Sequence, residues 1–255
     1  MRIGKLLCAS IVVSFFTLPV GAQDKPGTIA ALEFQKPKNG MVTQYEAGRK
    51  QKVDWHKQQK DSQPLFVWET MAGPETGTYI VGRLEQHWAD LDKPSVPDQA
   101  DVEEYRKVIA GYVESMVARY YELMPKVSHP GGEMTTPPKY DQIITFHVRY
   151  GKSSDFHSAI DRIHEAGEKT KWPVNYLWYA LYAGGDTGTY VLVIPHTNWS
   201  DFEEKPDVKP FRDMIKEAFG QSEADSIVDR IDRAVDREDT AIVQFRADLS
   251  YLPAK

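Results

Sequence analysis

A histidine and an arginine are the residues whose types and predicted positions are best suited to chemistry. His147 lies on the polar face of a predicted strand, 143–149, and Arg246 and Gln244 share the polar face of a second predicted strand, 240–250. A histidine with an ordinary pKa of about 6.5 can exchange a proton near neutral pH, and an arginine can hold an anion. We therefore predict His147 and Arg246 as neighbouring catalytic residues and Gln244 as a ligand-binding residue.

Two glutamates occupy the corresponding positions in the first half of the chain. When Ile29 is aligned with Ile143, Glu33 falls on the face that carries His147 in the second half, and Glu122 lies on the predicted closing strand. Carboxylates that lie side by side have a raised pKa, whereas a nearby arginine lowers it. We predict Glu33 and Glu122 as ligand-binding residues. The alternative is that all these polar side chains form a network that joins two sheets.

A third group of residues has the spacing of a metal site on a helix. His157, Asp161 and His164 fall at positions i, i+4 and i+7, and both residue types can bind Zn²⁺;. The group lies about 110 degrees around the helix from the apolar residues Phe156 and Ile163, which is typical of a solvent-exposed flank. We therefore predict no metal site.

The elements that would position these residues come from an internal duplication. Residues 72–79, AGPETGTY, return 111 residues later as 183–190, AGGDTGTY, and a Trp-x-Asp pair recurs at the same offset, at 88–90 and 199–201. Each glycine-rich octapeptide predicts a tight turn between two antiparallel strands. Both copies therefore contain a β-hairpin.

Hydrophobic periodicity predicts the order β-α-β-β-α-β in each copy. The predicted strands are 28–34, 64–72, 78–85, 143–149, 174–183, 187–195 and 240–250, and the clearest helices are 40–60, one starting at Ser153, 209–219 and 223–237. The closing helix and strand align at an offset of 122, so the first copy lacks about 11 residues, the length of helix 209–219. We predict repeats at 23–128 and 140–255, joined by a linker at 129–139 that is rich in proline and glycine.

This order of elements is that of the ferredoxin-like fold. With its strand–turn–strand units at 73–77 and 184–188, the chain resembles a tandem, single-chain member of the dimeric α/β-barrel superfamily. The resemblance implies an α+β fold in which two ferredoxin-like β-α-β-β-α-β repeats pack sheet to sheet as an intramolecular dimeric α/β barrel. It does not select one activity, since the superfamily contains haem enzymes, cofactor-free monooxygenases, isomerases and stress-response proteins.

Haem is the cofactor that the resemblance raises. The histidines that could hold it are His87, His147 and His196;. None of them stands in a motif that matches the haem-binding families, and Glu33 is an unfavourable neighbour for haem. We therefore predict no cofactor.

The N-terminus has the pattern of a secretory signal peptide. Residues 1–22 combine a basic start with a mostly apolar stretch and end in small residues;. The single cysteine, Cys8, lies in this segment, so the mature chain has no disulfide;. We predict cleavage near Ala22, a periplasmic or secreted location and no membrane insertion after cleavage, with a retained N-terminal anchor as the alternative. The net charge of −6 disfavours a nucleic acid partner;.

These features together favour an exported protein that binds a small organic ligand between two sheets or serves as a scaffold. The first alternative is a cofactor-independent oxygenase or isomerase, in which His147 acts as the base and Arg246 stabilises an anionic intermediate. The second alternative is a protein-interaction module. No motif in the sequence identifies a substrate.

Overall fold

Eight strands of the computed structural model form one closed antiparallel barrel. The structure describes residues 26–130 and 137–253. The strands are β1 (Ile29–Pro37), β2 (Phe66–Ala72), β3 (Tyr79–Gln86), β4 (Val113–Leu123), β5 (Tyr140–Val148), β6 (Leu177–Ala183), β7 (Thr189–His196) and β8 (Val235–Phe245). Their order around the barrel is β1-β3-β2-β8-β5-β7-β6-β4, and β4 pairs with β1 to complete the ring.

Five α-helices of the described residues accompany the barrel. They are α1 (Val42–Gln59), α2 (Asp98–Val108), α3 (Ser153–Thr170), α4 (Phe211–Phe219) and α5 (Gln221–Ala234). The predicted α+β class and the closed barrel are therefore confirmed. Within the described ranges, no helix has the length and apolar character needed to cross a membrane.

The barrel consists of two four-stranded halves that meet at their edges. The first half has the order β4-β1-β3-β2 and the second β8-β5-β7-β6, with β2 paired to β8 and β4 paired to β6. The inner faces of the two halves pack against each other as expected, and their edge strands also pair. Each edge strand of one half pairs with an edge strand of the other half. The backbone N–H and C=O groups that an isolated sheet edge would leave unpaired are therefore hydrogen-bonded where the two halves join.

The interior of the barrel is an apolar core. Two adjoining clusters lie there, with members from all eight strands and from no helix: Ala30, Leu32, Phe34, Phe66, Trp68, Ile80, Leu84, Tyr121, Ile143, Tyr179, Leu181, Val191, Val193, Val243 and Phe245. Leu84 and Ile143 belong to both clusters, so the two are continuous. The interior therefore does not present the polar face that the sequence predicted.

The outer faces of the two halves are covered differently. In the second half, Phe146 and Trp178 of the sheet pack on Phe156 of α3, and Ile163 of α3 packs with Met214 of α4 and with α5. Between β3 and β4 the chain forms only one α-helix, α2, whereas between β7 and β8 it forms α4 and α5. The shift of 11 residues between the copies predicted this difference.

The duplicated octapeptides lie where the two halves join. Gly73 and Gly184 follow β2 and β6 and have φ angles of 114° and 97°. A Cβ atom at Gly73 would lie 2.7 Å from the carbonyl oxygen of Thr240 in β8, and one at Gly184 would collide with the carbonyl oxygen of Ala118 in β4. Glycine is therefore required at both positions, because it permits the positive φ angle and the close approach of two backbones.

We expect Gly184→Ala to lower the free energy of unfolding more than Gly77→Ala. Both glycines have positive φ angles, 97° and 80°, so each alanine carries a left-handed strain of about 1–2 kcal/mol. A Cβ atom at Gly77 has no neighbour within 4 Å among the described residues, whereas one at Gly184 meets the backbone of β4. In urea unfolding, G184A should lose at least about 2 kcal/mol more than G77A. Equal losses would contradict the proposed role of Gly184 in closure.

The end of the chain departs from the predicted boundaries. Helix α5 ends at Ala234 and β8 begins at Val235, whereas the predicted strand was 240–250. The charged residues 236–239 favour a helix by composition, yet they pair with β5, and this tertiary pairing outweighs local preference;. Leu249 lies beyond β8 and is fully buried in the core of the first half.

Two predicted segments lie wholly or mostly outside the described residues. These are the signal peptide, 1–22, and the central part of the linker, 131–136. At the start of the linker, His129 forms an isolated β-bridge with Tyr176.

Candidate functional site

His147 and Arg246 lie at opposite ends of the barrel. The register of β5 and β8 places His147 opposite Arg237, and Tyr140 opposite Gln244. A strand rises about 3.3 Å per residue, so the seven residues between Tyr140 and His147 span about 23 Å. Arg246 follows Gln244 by two residues. The expected contact between His147 and Arg246 is therefore wrong.

Each of these two side chains has polar partners of its own. His147 Nε2 lies 3.0 Å from Asp239 Oδ2 at the far end of the barrel. Arg246 contacts three carboxylates, those of Glu46, Glu69 and Asp248. Because Glu46 belongs to α1, Arg246 lies on the outer face of the barrel, where it ties α1 to the sheet.

Gln244 and Glu122 also lie on the outer face of the barrel. Val243 and Phe245 of β8 belong to the interior, so Gln244 between them faces outward. Tyr121 of β4 belongs to the interior as well, so Glu122 faces outward;. The prediction of a polar interior failed because the closed barrel directs these apolar side chains inward.

Glu33 faces α1 and not the interior. The bounds of β1 and β5 differ by 111 residues, so Leu32 corresponds to Ile143, and both belong to the interior. Aligning Ile29 with Ile143 displaced β1 by three residues, and an odd displacement exchanges the two faces of a strand. Glu122 pairs with Ile29, four residues from Glu33, so the two glutamates are not side by side.

The buried face of α1 is polar, whereas the same face of α3 is apolar. Tyr45, Arg49, Lys52 and His56 have exposed fractions of 0, 2, 3 and 1% and follow the spacing i, i+4, i+7 and i+11. We call these four residues the α1 row. The bounds of α3 also lie 111 residues further on, and its equivalent residues are Phe156, Ile160, Ile163 and Gly167. Arginine and lysine are rarely this buried unless they are paired.

The N-terminal end of the α1 row is linked to Glu33 by hydrogen bonds. The Tyr45 hydroxyl donates to Gln35 Oε1 at 2.9 Å, and Gln35 Nε2 donates to Glu33 Oε2 at 2.6 Å. Burial raises the pKa of Tyr45 and nearby Glu33 adds to this, so the phenol is protonated at neutral pH. Met116 Sδ lies 3.8 Å from Gln35 Nε2 and from the Tyr105 hydroxyl, which places Met116 and Tyr105 over this end of the row.

The C-terminal end of the α1 row contacts two aspartates. Lys52 Nζ lies 2.9 Å from Asp101 Oδ1. His56 Nδ1 lies 2.8 Å from Asp61 Oδ2, at an angle too poor for a hydrogen bond. Burial lowers the pKa of His56 to about 4 even though Asp101 and Asp61 oppose this, so the imidazole is neutral at pH 7. Burial also lowers the pKa of Lys52, and Asp101 offsets part of the effect.

Asp61 is ionised although it is buried beneath His56. Burial alone would raise the pKa of Asp61, but hydrogen bonds from Ser95, the Gln63 backbone and Arg83 outweigh it and hold the pKa below its ordinary value. The His56 ring also stacks on Tyr251, with ring centroids 5.5 Å apart. The α1 row therefore combines a neutral base and two cations in one buried layer, with the carboxylates of Asp61 and Asp101 beside it. Sequence analysis missed this layer, and comparing the two helices at the offset of 111 would have revealed it.

A second buried titratable group lies inside the barrel. Asp141 of β5 pairs with Val243 of the interior and is 7% exposed. Burial raises the pKa of Asp141 to about 7, and the indole N–H of Trp68 lowers it slightly without the geometry of a full hydrogen bond. Burial and Asp141 together raise the pKa of Tyr179. Sequence analysis did not single out Asp141, although it lies two residues before Ile143 on the same face.

Asp141 should make the protein less stable as the pH rises. Its folded-state pKa, about 7, lies above the ordinary value of 3.8, so between these values the folded state binds more protons and the free energy of unfolding falls with pH. We expect Asp141→Asn to gain on the order of 3 kcal/mol relative to the wild type between pH 5 and pH 8. Guanidinium unfolding at both pH values tests this. The exposed control Asp207→Asn should show no such gain, and a pH-independent difference for D141N would contradict the assignment.

The histidines considered for metal or haem are placed unfavourably. Among the described residues, no group of three or more His, Cys, Asp or Glu could hold a metal ion, and this includes the His157, Asp161 and His164 face of α3.

A haem ligand needs an imidazole nitrogen that faces a cavity. His147 Nε2 is held by Asp239, and the His196 ring stacks on Phe202 at 3.9 Å with Nε2 buried. His87 is exposed at the start of the short 3-10 helix after β3. These residues do not fit haem.

Comparison with solved structures identifies the class of fold. The chain is similar to a proposed monooxygenase from Lactobacillus acidophilus (7% identity, 89% of this chain and 97% of that chain, TM-score 0.53). It is also similar to an anthrone oxidase-like protein (13%, 89% and 94%, TM-score 0.52) and to chlorite dismutase from Candidatus Nitrospira defluvii in complex with imidazole (8%, 88% and 93%, TM-score 0.50). The chain shares the dimeric α/β-barrel fold of these proteins. No protein-family model matches the sequence, and no curated protein matches it.

These comparisons correct the leading expectation of a scaffold or simple ligand-binding protein. The proteins that share the fold are described as a monooxygenase, an oxidase-like protein and a chlorite dismutase. The enzyme alternative is therefore the closer one. At identities of 7 to 13% the likeness establishes the fold alone;, so the activity has to be argued from the α1 row.

Proposed function

We propose that the protein is an enzyme, a cofactor-independent oxygenase or an isomerase, whose site lies between α1 and the sheet of the first half. The observation that carries this proposal is the α1 row. Its buried polar residues replace apolar residues at the equivalent positions of α3, so the barrel can be built without them. Ionisable groups held at a cost to stability are typical of active sites.

Oxygenases without cofactors and isomerases share a first step that the site can perform. Glu33 is the partly exposed carboxylate at the end of the α1 row, close enough to Tyr45 and Tyr105 to contribute to the raised pKa of both phenols. In this scheme it removes a proton from a carbon next to a carbonyl group. Gln35 holds Glu33 in place, and the Tyr45 hydroxyl orients Gln35. The cations of the α1 row favour the resulting enolate.

The fate of the enolate separates the two activities. In an isomerase, Glu33 returns the proton to a different carbon of the same molecule. In an oxygenase, the enolate is oxidised by dioxygen, so that a CH₂ group and O₂ give a C=O group and water. The fold comparisons include an oxidase-like protein named for anthrone, a compound with an acidic CH₂ group, and this supports the oxygenase.

Replacing Glu33 by glutamine should abolish the activity. The amide cannot accept the proton, so we expect kcat to fall at least about 100-fold, the usual contribution of a general base. The measurement is dioxygen consumption with carbon acids such as anthrone, without added metal or flavin. Glu122→Gln, which changes an exposed glutamate of β4, should retain the wild-type rate. Full activity of E33Q, or wild-type protein that converts none of the carbon acids, would contradict the proposal.

We further propose that the chain consists of two ferredoxin-like repeats, 23–128 and 140–255, and is exported to the periplasm or the medium. The pairing of the first and last strands in each half supports the repeats. The pattern of residues 1–22 supports export;. The intact mass of protein recovered from the periplasm should correspond to a chain that begins at Gln23, and an unprocessed mass would contradict cleavage near Ala22.

A further inference from the structure

Two nitrogen atoms of the Arg49 guanidinium group are buried and have no hydrogen-bond partner among the described residues. They are Nε and Nη2, and both are inaccessible to solvent. Other partly buried arginines are paired: Arg83 with Asp61 at 2.9 Å and Arg119 with Glu75 at 3.1 Å. A buried cation without a partner is strongly destabilising, so Arg49 lacks the structural role that these arginines have.

The two unpartnered nitrogen atoms of Arg49 lie on one edge of the guanidinium plane. Nε–H and Nη2–H together form the fork that binds both oxygens of a carboxylate through two parallel hydrogen bonds. Lys52, one turn further along α1, is already paired with Asp101 at 2.9 Å. Arg49 therefore supplies one uncompensated positive charge, which matches a planar anion with a single negative charge.

The groups near Arg49 match an organic molecule and not a small inorganic ion. Tyr45 and Tyr105 lie close enough for the Arg49 charge to lower the pKa of both phenols, against the larger effect of burial. Met116, 47% exposed, contacts Tyr105 and covers this end of the α1 row. A flexible methionine and two aromatic rings favour contact with an apolar, planar body.

We propose that Arg49 is the carboxylate-binding residue of the site and that the substrate is a small aromatic or conjugated organic acid. This inference rests on the proposed function, because only an enzyme would have the acid as its substrate. Binding of such an acid does not itself require turnover. Because Nε and Nη2 are inaccessible to solvent, side-on contact with a carboxylate requires the exposed Met116 and the neighbouring Tyr105 to move aside, which leaves the remainder of the molecule towards Glu33.

The proposal is tested by titrating the purified protein with benzoate and following tryptophan fluorescence, since Trp55 lies beside Lys52 at 3.9 Å. Benzoate should bind saturably, whereas the neutral analogue benzamide and inorganic phosphate at equal ionic strength should not. Arg49→Met keeps the length of the side chain without its charge and should weaken benzoate binding at least about 30-fold. Arg49→Lys keeps the charge without the fork and should bind more weakly than the wild type.

Stability provides a second measurement that separates this role from a structural one. Without ligand, R49M should melt at a higher temperature than the wild type, because the substitution removes an uncompensated buried charge. The control Lys50→Met changes the adjacent, exposed cation and should leave benzoate binding unaltered. A lower melting temperature for R49M, or equal affinity of R49M and the wild type for benzoate, would overturn the proposal. Benzoate binding by a protein that neither oxidises nor isomerises any of the carbon acids would refute the proposed activity and leave the carboxylate site standing.

Discussion

The close approach of two backbones at Gly73 and Gly184 is the constraint on which the rest of the structure depends. Each glycine lets the hairpin of one half lie against the closing strand of the other half. Edge pairing of β2 with β8 and of β4 with β6 then follows on both sides. The requirement applies equally to both halves, and this explains why the octapeptide is the most similar part of the two copies. Closure also creates one shared apolar interior, so neither half can bury its apolar inner face without the other.

Closure uses both halves in the same way, and the difference between the halves that concerns α1 lies on the outer face. In the second half, Ile163 is covered by α4 and α5. The first half has one helix, α2, in place of these two. The residue equivalent to Ile163 is Lys52, which forms an ion pair with Asp101 of α2. The first half therefore combines two related features: it lacks a second covering helix, and the buried face of α1 is polar. An apolar side chain at position 52 would have less apolar surface to pack against.

The topology was predictable from the sequence because the signals that specify it are local. Turn glycines, alternation and helical periodicity are each read within a few residues, and the 111-residue offset then relates the two halves;. The face that each strand presents was not predictable in the same way. Alternation along β8 identifies two faces, but the apolar face meets the interior in a closed barrel and would meet the helices in an open sheet. Gln244 and Glu122 were consequently assigned to the wrong side.

The α1 row escaped detection for a different physical reason. Hydrophobic periodicity marks a buried helix face only when that face is apolar, and the buried face of α1 carries Arg49, Lys52 and His56. The comparison that reveals it is between copies, where Ile160 and Ile163 show what the fold alone requires. The second half shows that the fold accepts isoleucine at these positions, and arginine and lysine do not improve its stability, since burial of charge opposes folding;. Under the proposed function, the polar residues mark the place where chemistry is gained at a cost in stability, and the apolar second half supplies packing that offsets this cost.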